Sequence, residues 1–165
     1  MNVSEELKKQ AISFNLCQQW TDDWGKPDMD ELVDKYIQGI DFCIKNNYPS
    51  NEFIKDNFGE IAERHGVFTD KKDLRISGFS NVIINGACSG EIDLSGFDVI
   101  SIYIRHDSNV NIVIKDAAKA IIRVFDNASV TIDNQAEDRV FVYRYGGKVF
   151  SSGNVLVRNR KFEDL

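Results

Sequence analysis

The residues that could do chemistry in this chain are few and lie far apart. Gly86-Ala87-Cys88-Ser89-Gly90 has the glycine–nucleophile–glycine form of a hydrolase nucleophile elbow, and a predicted strand precedes it. An elbow also needs a helix after the nucleophile, whereas Glu91-Ile92-Asp93-Leu94 continues as a strand. We therefore interpret this segment as a turn.

Histidines and clustered carboxylates give no better catalytic set. His65 ends a predicted helix and His106 lies in a predicted turn, so neither has a converging acid–base partner. A carboxylate cluster comprises Asp22, Asp23, Asp28 and Asp30. Trp24 and Pro27 break the spacing that a calcium loop uses, and Asp28 with Glu31 fits a helix capping box. We predict no catalytic residue, no metal site and no cofactor.

A ten-residue period dominates the chain between residues 82 and 150. The central row is Val82, Ile92, Ile102, Ile112, Ile122, Ile132 and Val142. Two residues later the row is Ile84, Leu94, Ile104, Ile114 and Val124, and two residues earlier it is Ile100, Val110, Ala120, Val130, Val140 and Phe150. Turn-forming residues separate these segments, as at Gly86, Gly96 and Asp126-Asn127. Strands stacked about 4.8 Å apart would join the rows into one core.

The segment Val124-Phe125-Asp126-Asn127-Ala128-Ser129-Val130-Thr131-Ile132 resembles the ten-residue repeats of β-solenoid segments in bacterial and phage proteins, including fibre-like ones. The resemblance covers about seventy residues and implies an architecture, a β-helix. Such solenoids are used as stalks, spacers and binding surfaces, so the resemblance does not imply one function.

The outward positions favour a coil of two strands and about twenty residues, because every twentieth residue then falls into one of two distinct faces. One face is polar, with Glu91, Asn111 and Thr131. The other is aromatic and cationic, and its candidate binding residues are Tyr103, Arg105, Arg123, Phe125, Tyr143 and Tyr145. Arginine and tyrosine stack through cation–π contacts and are enriched in interface hot spots. Three readings stay open: the chain's own helices cover this face, or it binds a protein, or it binds a glycan.

The first 66 residues have a helical period and predict three helices that form an N-terminal cap. Their apolar stripes are Leu7, Ala11, Phe14, Cys17; Met29, Leu32, Val33, Tyr36, Ile37, Ile40, Cys43, Ile44; and Ile54, Phe58, Ile61, His65. Ser50 can cap the third helix and Gly66 can close it. The predicted fold class is α+β, with helices over 1–66, a connector over 67–73 and a solenoid over 74–165.

Composition narrows the partners and the compartment. Residues 1–66 hold 13 acids against 7 bases, whereas the remainder is balanced, so a phosphate-binding surface for nucleic acid is not expected. The basic cluster Arg158, Arg160 and Lys161 is interpreted as a solvated tail. Cys17, Cys43 and Cys88 are odd in number and predict buried, reduced thiols. With no signal peptide or membrane segment visible, we expect a cytoplasmic location, with a virion as the alternative.

These observations favour a non-catalytic module that presents its aromatic and cationic face to a protein partner or to another subunit. One alternative is a carbohydrate-binding or carbohydrate-active β-helix protein, since solenoid polysaccharidases assemble sites from carboxylates on adjacent coils. The other is a structural fibre or a phage or virion component.

The ten-residue register predicts that Ile112→Asp abolishes cooperative folding, because it buries an unpaired charge at a cost on the order of several kcal/mol. Lys115→Asp, at an outward position, should leave the unfolding transition nearly unchanged. Thermal melts followed by circular dichroism compare the two variants, and similar melting curves would contradict the inward register.

Overall fold

The chain folds as helices followed by a parallel β-solenoid, which confirms the predicted fold class. The computed structural model describes residues 2–165, and the chain divides after Arg64 into two compact units. The N-terminal unit is helical, and the C-terminal unit, His65–Leu165, contains the solenoid. Within the described residues, every helix is too short or too polar to span a bilayer.

Short helices make up the N-terminal unit. They are α1 (Val3–Ser13), α2 (Gln18–Asp22), α3 (Met29–Gln38), α4 (Ile40–Asn46), α5 (Asn51–Phe53) and α6 (Gly59–Arg64), with a π-helical turn at Ile54–Phe58. Asp28 and Glu31 form the predicted capping box on α3. Ser50 Oγ accepts the backbone N–H of Phe53 and so caps α5, as predicted. Gly66 follows α6 with a φ of 86°, the left-handed conformation that closes helices.

The helical stripes are shorter than the sequence pattern predicted. Helix α1 ends at Ser13, so Phe14 and Cys17 are exposed, although both were assigned to the buried stripe. Gly39 separates α3 from α4, because glycine is a poor helix former and here has non-helical dihedral angles. The third predicted helix breaks where Gly59 has a φ of 50°. His65 lies in a turn after α6, outside the helix.

Strands of the solenoid alternate between two sheets. Their bounds are β1 (Val67–Thr69), β2 (Leu74–Ile76), β3 (Asn81–Asn85), β4 (Ser89–Leu94), β5 (Val99–Ile104), β6 (Asn109–Ile114), β7 (Lys119–Val124), β8 (Ser129–Asn134), β9 (Val140–Arg144), β10 (Lys148–Gly153) and β11 (Val155–Asn159). The six-stranded sheet has the order β1-β3-β5-β7-β9-β11, and the five-stranded sheet has the order β10-β8-β6-β4-β2. A 3₁₀ turn, Phe162–Asp164, follows β11. Two strands per coil are therefore confirmed.

The predicted inward rows form the core between the two sheets. In the central coils, paired residues are twenty positions apart, as in Ile102 with Ile122 and Ile112 with Ile132. All of the predicted inward side chains are buried except that of Phe150. Stacking identical positions places β-branched side chains above one another, so each coil buries the apolar face of its neighbour.

Coils at the two ends are shorter than the central ones. β1 and β2 pair with β3 and β4, respectively, at a spacing of sixteen residues. β1 lies within residues 67–73, so this segment, which was predicted to be a connector, already belongs to the solenoid. β10 pairs with β8 at a spacing of nineteen residues. Because a shift of one residue exchanges the two faces of a strand, Val149 packs against the core and Phe150 is 56% exposed.

This register shift predicts opposite sensitivities at two adjacent positions. Val149→Asp should lower the free energy of unfolding by about 2 kcal/mol or more, because it places a charge against the core. Phe150→Asp should change it by less than about 0.5 kcal/mol, as exposed substitutions usually do. Urea denaturation measures both values. If Phe150→Asp proved the more damaging change, the nineteen-residue spacing would be refuted.

Candidate functional site

The six-stranded sheet brings three of the predicted binding residues into one row on its outer face. Tyr103 on β5 pairs with Arg123 on β7, and Arg123 pairs with Tyr143 on β9. Parallel strands in register place their side chains about 4.8 Å apart along the sheet. The row therefore follows from the twenty-residue coil, since each member occupies the same position of its own coil.

Cation–π contacts link the members of this row. The Cζ atom of Arg123 lies 5.0 Å from the ring centroid of Tyr103 and 5.8 Å from that of Tyr143. Its Nη1 also donates to Ser101 Oγ at 3.1 Å, which fixes the guanidinium against the sheet. Each such contact is worth about 0.5–1 kcal/mol where it is exposed to water. The contacts thus hold long side chains in one arrangement.

Two basic residues that sequence analysis assigned to a solvated tail extend the row. Arg158 pairs with Tyr143 in the register of β11, and its Cζ lies 5.9 Å from the ring centroid of Phe141. The Cζ of Arg160 lies 5.3 Å from the ring centroid of Tyr143. The ten-residue period could not reveal these contacts, because β11 pairs with β9 at a spacing of fifteen residues. We call Tyr103, Arg123, Tyr143, Arg158 and Arg160 the tyrosine–arginine row.

Phe125 and Arg105, two other predicted binding residues, are not accessible. Phe125 is 0% exposed, and its ring stacks between those of Tyr103 and Tyr145, with centroid distances of 6.4 and 4.8 Å. Arg105 is 3% exposed, and its Nη1 donates to the buried Asn85 Oδ1 at 3.0 Å. Alternation along a strand correctly placed both side chains outside the core, but outward direction does not by itself give exposure. Neither residue can contact a partner directly, whereas Tyr145 is half-buried.

Exposed apolar side chains lie beside the tyrosine–arginine row. Ile121 is 42% exposed and pairs with the half-buried Phe141, and Phe141 pairs with Leu156. Val99, at the start of β5, is 68% exposed. Phe97, in the turn before β5, is 90% exposed. Sequence analysis did not single out Phe97, although the equivalent turn position one coil later holds the small residue Ala117.

Cys88 has the environment of a structural thiol. Its Sγ donates to Asn85 O at 3.2 Å and accepts the backbone N–H of Lys71 at 3.3 Å. Burial raises the pKa of the Cys88 thiol, which keeps it protonated and weakly nucleophilic. Strand β4 follows it directly, so the predicted turn is confirmed. Cys43 is likewise buried, but Cys17 is exposed, contrary to the expectation for all three cysteines.

His106 is one of the turn residues that hold successive coils together, in the same row as Asp126, while Asp116 does so in the turns at the other edge. His106, Asp116 and Asp126 all have φ between 57° and 58°, the left-handed region. In each case the side chain accepts a hydrogen bond from the backbone N–H of the turn residue one coil earlier. His106 Nδ1 accepts from Gly86 at 2.8 Å, and Asp116 Oδ2 accepts from Gly96 at 2.9 Å. Asp126 Oδ2 accepts from His106 at 2.9 Å. The imidazole therefore acts as a neutral hydrogen-bond acceptor between coils.

Comparison with known proteins finds no matching family model, curated protein or solved structure. Within residues 2–165, no group of three or more histidine, cysteine, aspartate or glutamate side chains is arranged to hold a metal ion. The function is therefore inferred from the geometry of the outer face of the six-stranded sheet.

The bond to His106 predicts a pH-dependent stability. Burial, and next the charge of Arg105, lower the pKa of His106 below its usual value near 6.5, although Asp126, Asp107 and Asp70 oppose this. The unfolded chain then binds more protons than the folded one, so stability should fall as the pH drops below about 6.5 and through the folded pKa. His106→Asn keeps an acceptor that does not titrate. We expect the wild type to lose up to about 1 kcal/mol relative to this variant between pH 8 and pH 5.

Urea denaturation of the wild type and of His106→Asn at each pH measures their free energies of unfolding. The contributions of the other titrating groups are common to both proteins and cancel in the difference. His106→Ala is the matched loss of the acceptor, and it should be less stable than His106→Asn at pH 8. Parallel pH profiles for the wild type and His106→Asn would show that Nδ1 does not accept this bond.

Proposed function

We propose that this chain is a non-catalytic interaction module that binds a protein partner, or another subunit, through the outer face of the six-stranded sheet. The observation that carries this proposal is the tyrosine–arginine row, which runs beside the exposed side chains of Ile121 and Val99. Protein interfaces combine arginine and tyrosine anchors with an apolar centre in this way.

Preorganisation supports the use of this row in binding. Arg123 is held by two rings and by Ser101 Oγ, so it would lose little rotamer freedom when a partner covers it. Immobilising a long side chain at an interface otherwise costs about 0.5–1.5 kcal/mol. The parallel coils also fix the backbone of the row. A rigid surface of this kind favours a partner with a complementary rigid surface.

Ring geometry favours a protein partner over a glycan. Sugars stack on exposed aromatic faces, but the ring of Tyr103 contacts the guanidinium of Arg123, and the ring of Tyr143 contacts those of Arg123 and Arg160. Phe125 is enclosed by Tyr103 and Tyr145. The guanidinium groups instead offer donors suited to carboxylates and backbone carbonyls of a protein.

We also propose a cytoplasmic location for this chain. The buried reduced thiols of Cys43 and Cys88 fit that setting, where disulfides are rare.

A charge placed at the apolar centre of this face should weaken the association. We expect Ile121→Lys to reduce the affinity about thirtyfold, the effect of losing a hot spot of about 2 kcal/mol, with little change in melting temperature. Val113→Lys is the matched control, because Val113 is also β-branched but faces outward on the five-stranded sheet, between Asp93 and Asp133. Sedimentation velocity measures self-association. Affinity capture on the immobilised wild type and on each variant measures other partners.

Support for the proposal requires an association that survives Val113→Lys and is lost with Ile121→Lys. Equal behaviour of the two variants would refute it, and so would a wild type that is monomeric and captures no protein. Binding to a glycan array that is lost with Ile121→Lys would favour the carbohydrate-binding alternative. Combined Arg123→Ala and Tyr143→Ala gives a second test: a large loss of stability with unchanged association would show that the row only supports the fold.

A further inference from the structure

The N-terminal unit contains a cavity of about 390 Å³ that is open to solvent on one side, where Cys17 and Asp41 are exposed. This volume is within the range of small-molecule sites, which is about 300–1,000 Å³. Its wall is largely apolar, and a third of the lining residues are aromatic, including both tryptophans of the chain. The residues that matter below are Trp20, Trp24, Lys35, Phe42 and Tyr48. Helices α1 to α4 all contribute to the wall.

Two polar groups of the wall, the Tyr48 hydroxyl and the Trp24 indole N–H, are satisfied within the unit. The Tyr48 hydroxyl donates to Leu7 O at 2.6 Å, and burial raises the pKa of Tyr48, so this donor is retained. Trp24 Nε1 donates to Ser4 Oγ at 3.0 Å. These bonds also fix two of the rings. The apolar side chains that make up most of the wall favour an apolar ligand body, and planar rings suit the aromatic side chains among them.

Lys35 brings a positive charge to this wall. Its Nζ lies 5.6 Å from the ring centroid of Trp24 and 6.0 Å from that of Trp20. In the part of the chain that the structure describes, no carboxylate lies within ion-pair distance of Lys35. The side chain is half-buried in an apolar wall, where an ammonium group gains most from a paired anion.

We propose that this cavity binds a small organic anion with a planar apolar body, such as an aromatic carboxylate or sulfonate. The body fills the space between the rings, and the anionic group accepts hydrogen bonds from Lys35 Nζ. A cationic ligand is disfavoured because Lys35 already contacts both indole rings. A neutral ligand would remove water from the ammonium group without replacing its hydrogen bonds. Asp41, which also lines the cavity, is exposed and stays hydrated.

A matched pair of dyes tests the proposal on the full chain. The anionic probe is 8-anilinonaphthalene-1-sulfonate, and the neutral probe is N-phenyl-1-naphthylamine, which has the same rings without the sulfonate. Energy transfer from tryptophan reports occupancy directly, because both tryptophans lie in the wall. We expect saturable binding of one sulfonate per chain. Lys35→Met should weaken it about tenfold or more, the loss of a charged hydrogen bond, and should change the affinity for the neutral dye less than twofold.

Lys45→Met is the matched control, since Lys45 is exposed on α4 and does not line the cavity. It should bind both dyes as the wild type does. Alkylation of Cys17, the exposed cysteine in the wall, should slow when the sulfonate is bound and gives a readout independent of fluorescence. Circular dichroism checks that Lys35→Met remains folded. If that variant unfolds, Lys35→Gln and the protection of Cys17 in the wild type carry the test.

Three outcomes would overturn the proposal. The first is sulfonate binding that does not saturate or that is unchanged in the Lys35 variant. The second is an equal loss of both dyes, which would show a general change in the cavity. The third is tighter binding of a cationic analogue than of the sulfonate.

Discussion

Each strand in the central coils obtains its backbone hydrogen bonds from strands twenty residues before and after it in the sequence. This pairing constrains the rest of the solenoid. A coil that gained or lost one residue would turn its apolar side chains toward water, because the side-chain direction alternates along a strand. The twenty-residue length therefore fixes the core, the outer rows and the turns together. The side-chain acceptors at His106, Asp116 and Asp126 reinforce the same spacing from the turns.

Where the spacing changes, glycine allows the coils to approach each other. A Cβ on Gly147 would lie 2.2 Å from Ala128 O, and one on Gly153 would lie 2.0 Å from Asn134 O. Both glycines also have positive φ, which other residues rarely adopt. The shortened coil that follows brings Arg158 beside Tyr143. The change in spacing at the C-terminal end thus creates the part of the tyrosine–arginine row that carries its most exposed charges.

Sequence reasoning succeeded where one period governs several coils. The inward rows could be predicted because Ile102, Ile112 and Ile122 occupy the same position in successive ten-residue segments, and each must be apolar to fill the core. The pattern is therefore visible several times in the sequence. It failed at Phe150, where the period itself changes, and at Gly39, where one residue interrupts a helical stripe. It also failed at Phe125, since the alternation gives the direction of a side chain but not what lies over it. The cavity beside Lys35 was equally beyond prediction, because a void depends on how several helices pack, and no local pattern encodes it.

The fold restricts residue types less at the outward positions of the solenoid than in its core. Core positions are restricted to β-branched and small apolar residues by packing, so their types report on the fold alone. Outer positions in the central coils take part in the same backbone pairing whatever their side chains are, so the fold leaves their types comparatively free. The five-stranded sheet shows this freedom, since Asn111, Thr131 and Val113 all occupy outward positions on it. Tyrosine and arginine side chains, with the exposed Val99 and Ile121, are gathered on the outer face of the six-stranded sheet, where backbone pairing does not require these residue types. That asymmetry is therefore a better guide to function than any feature of the core.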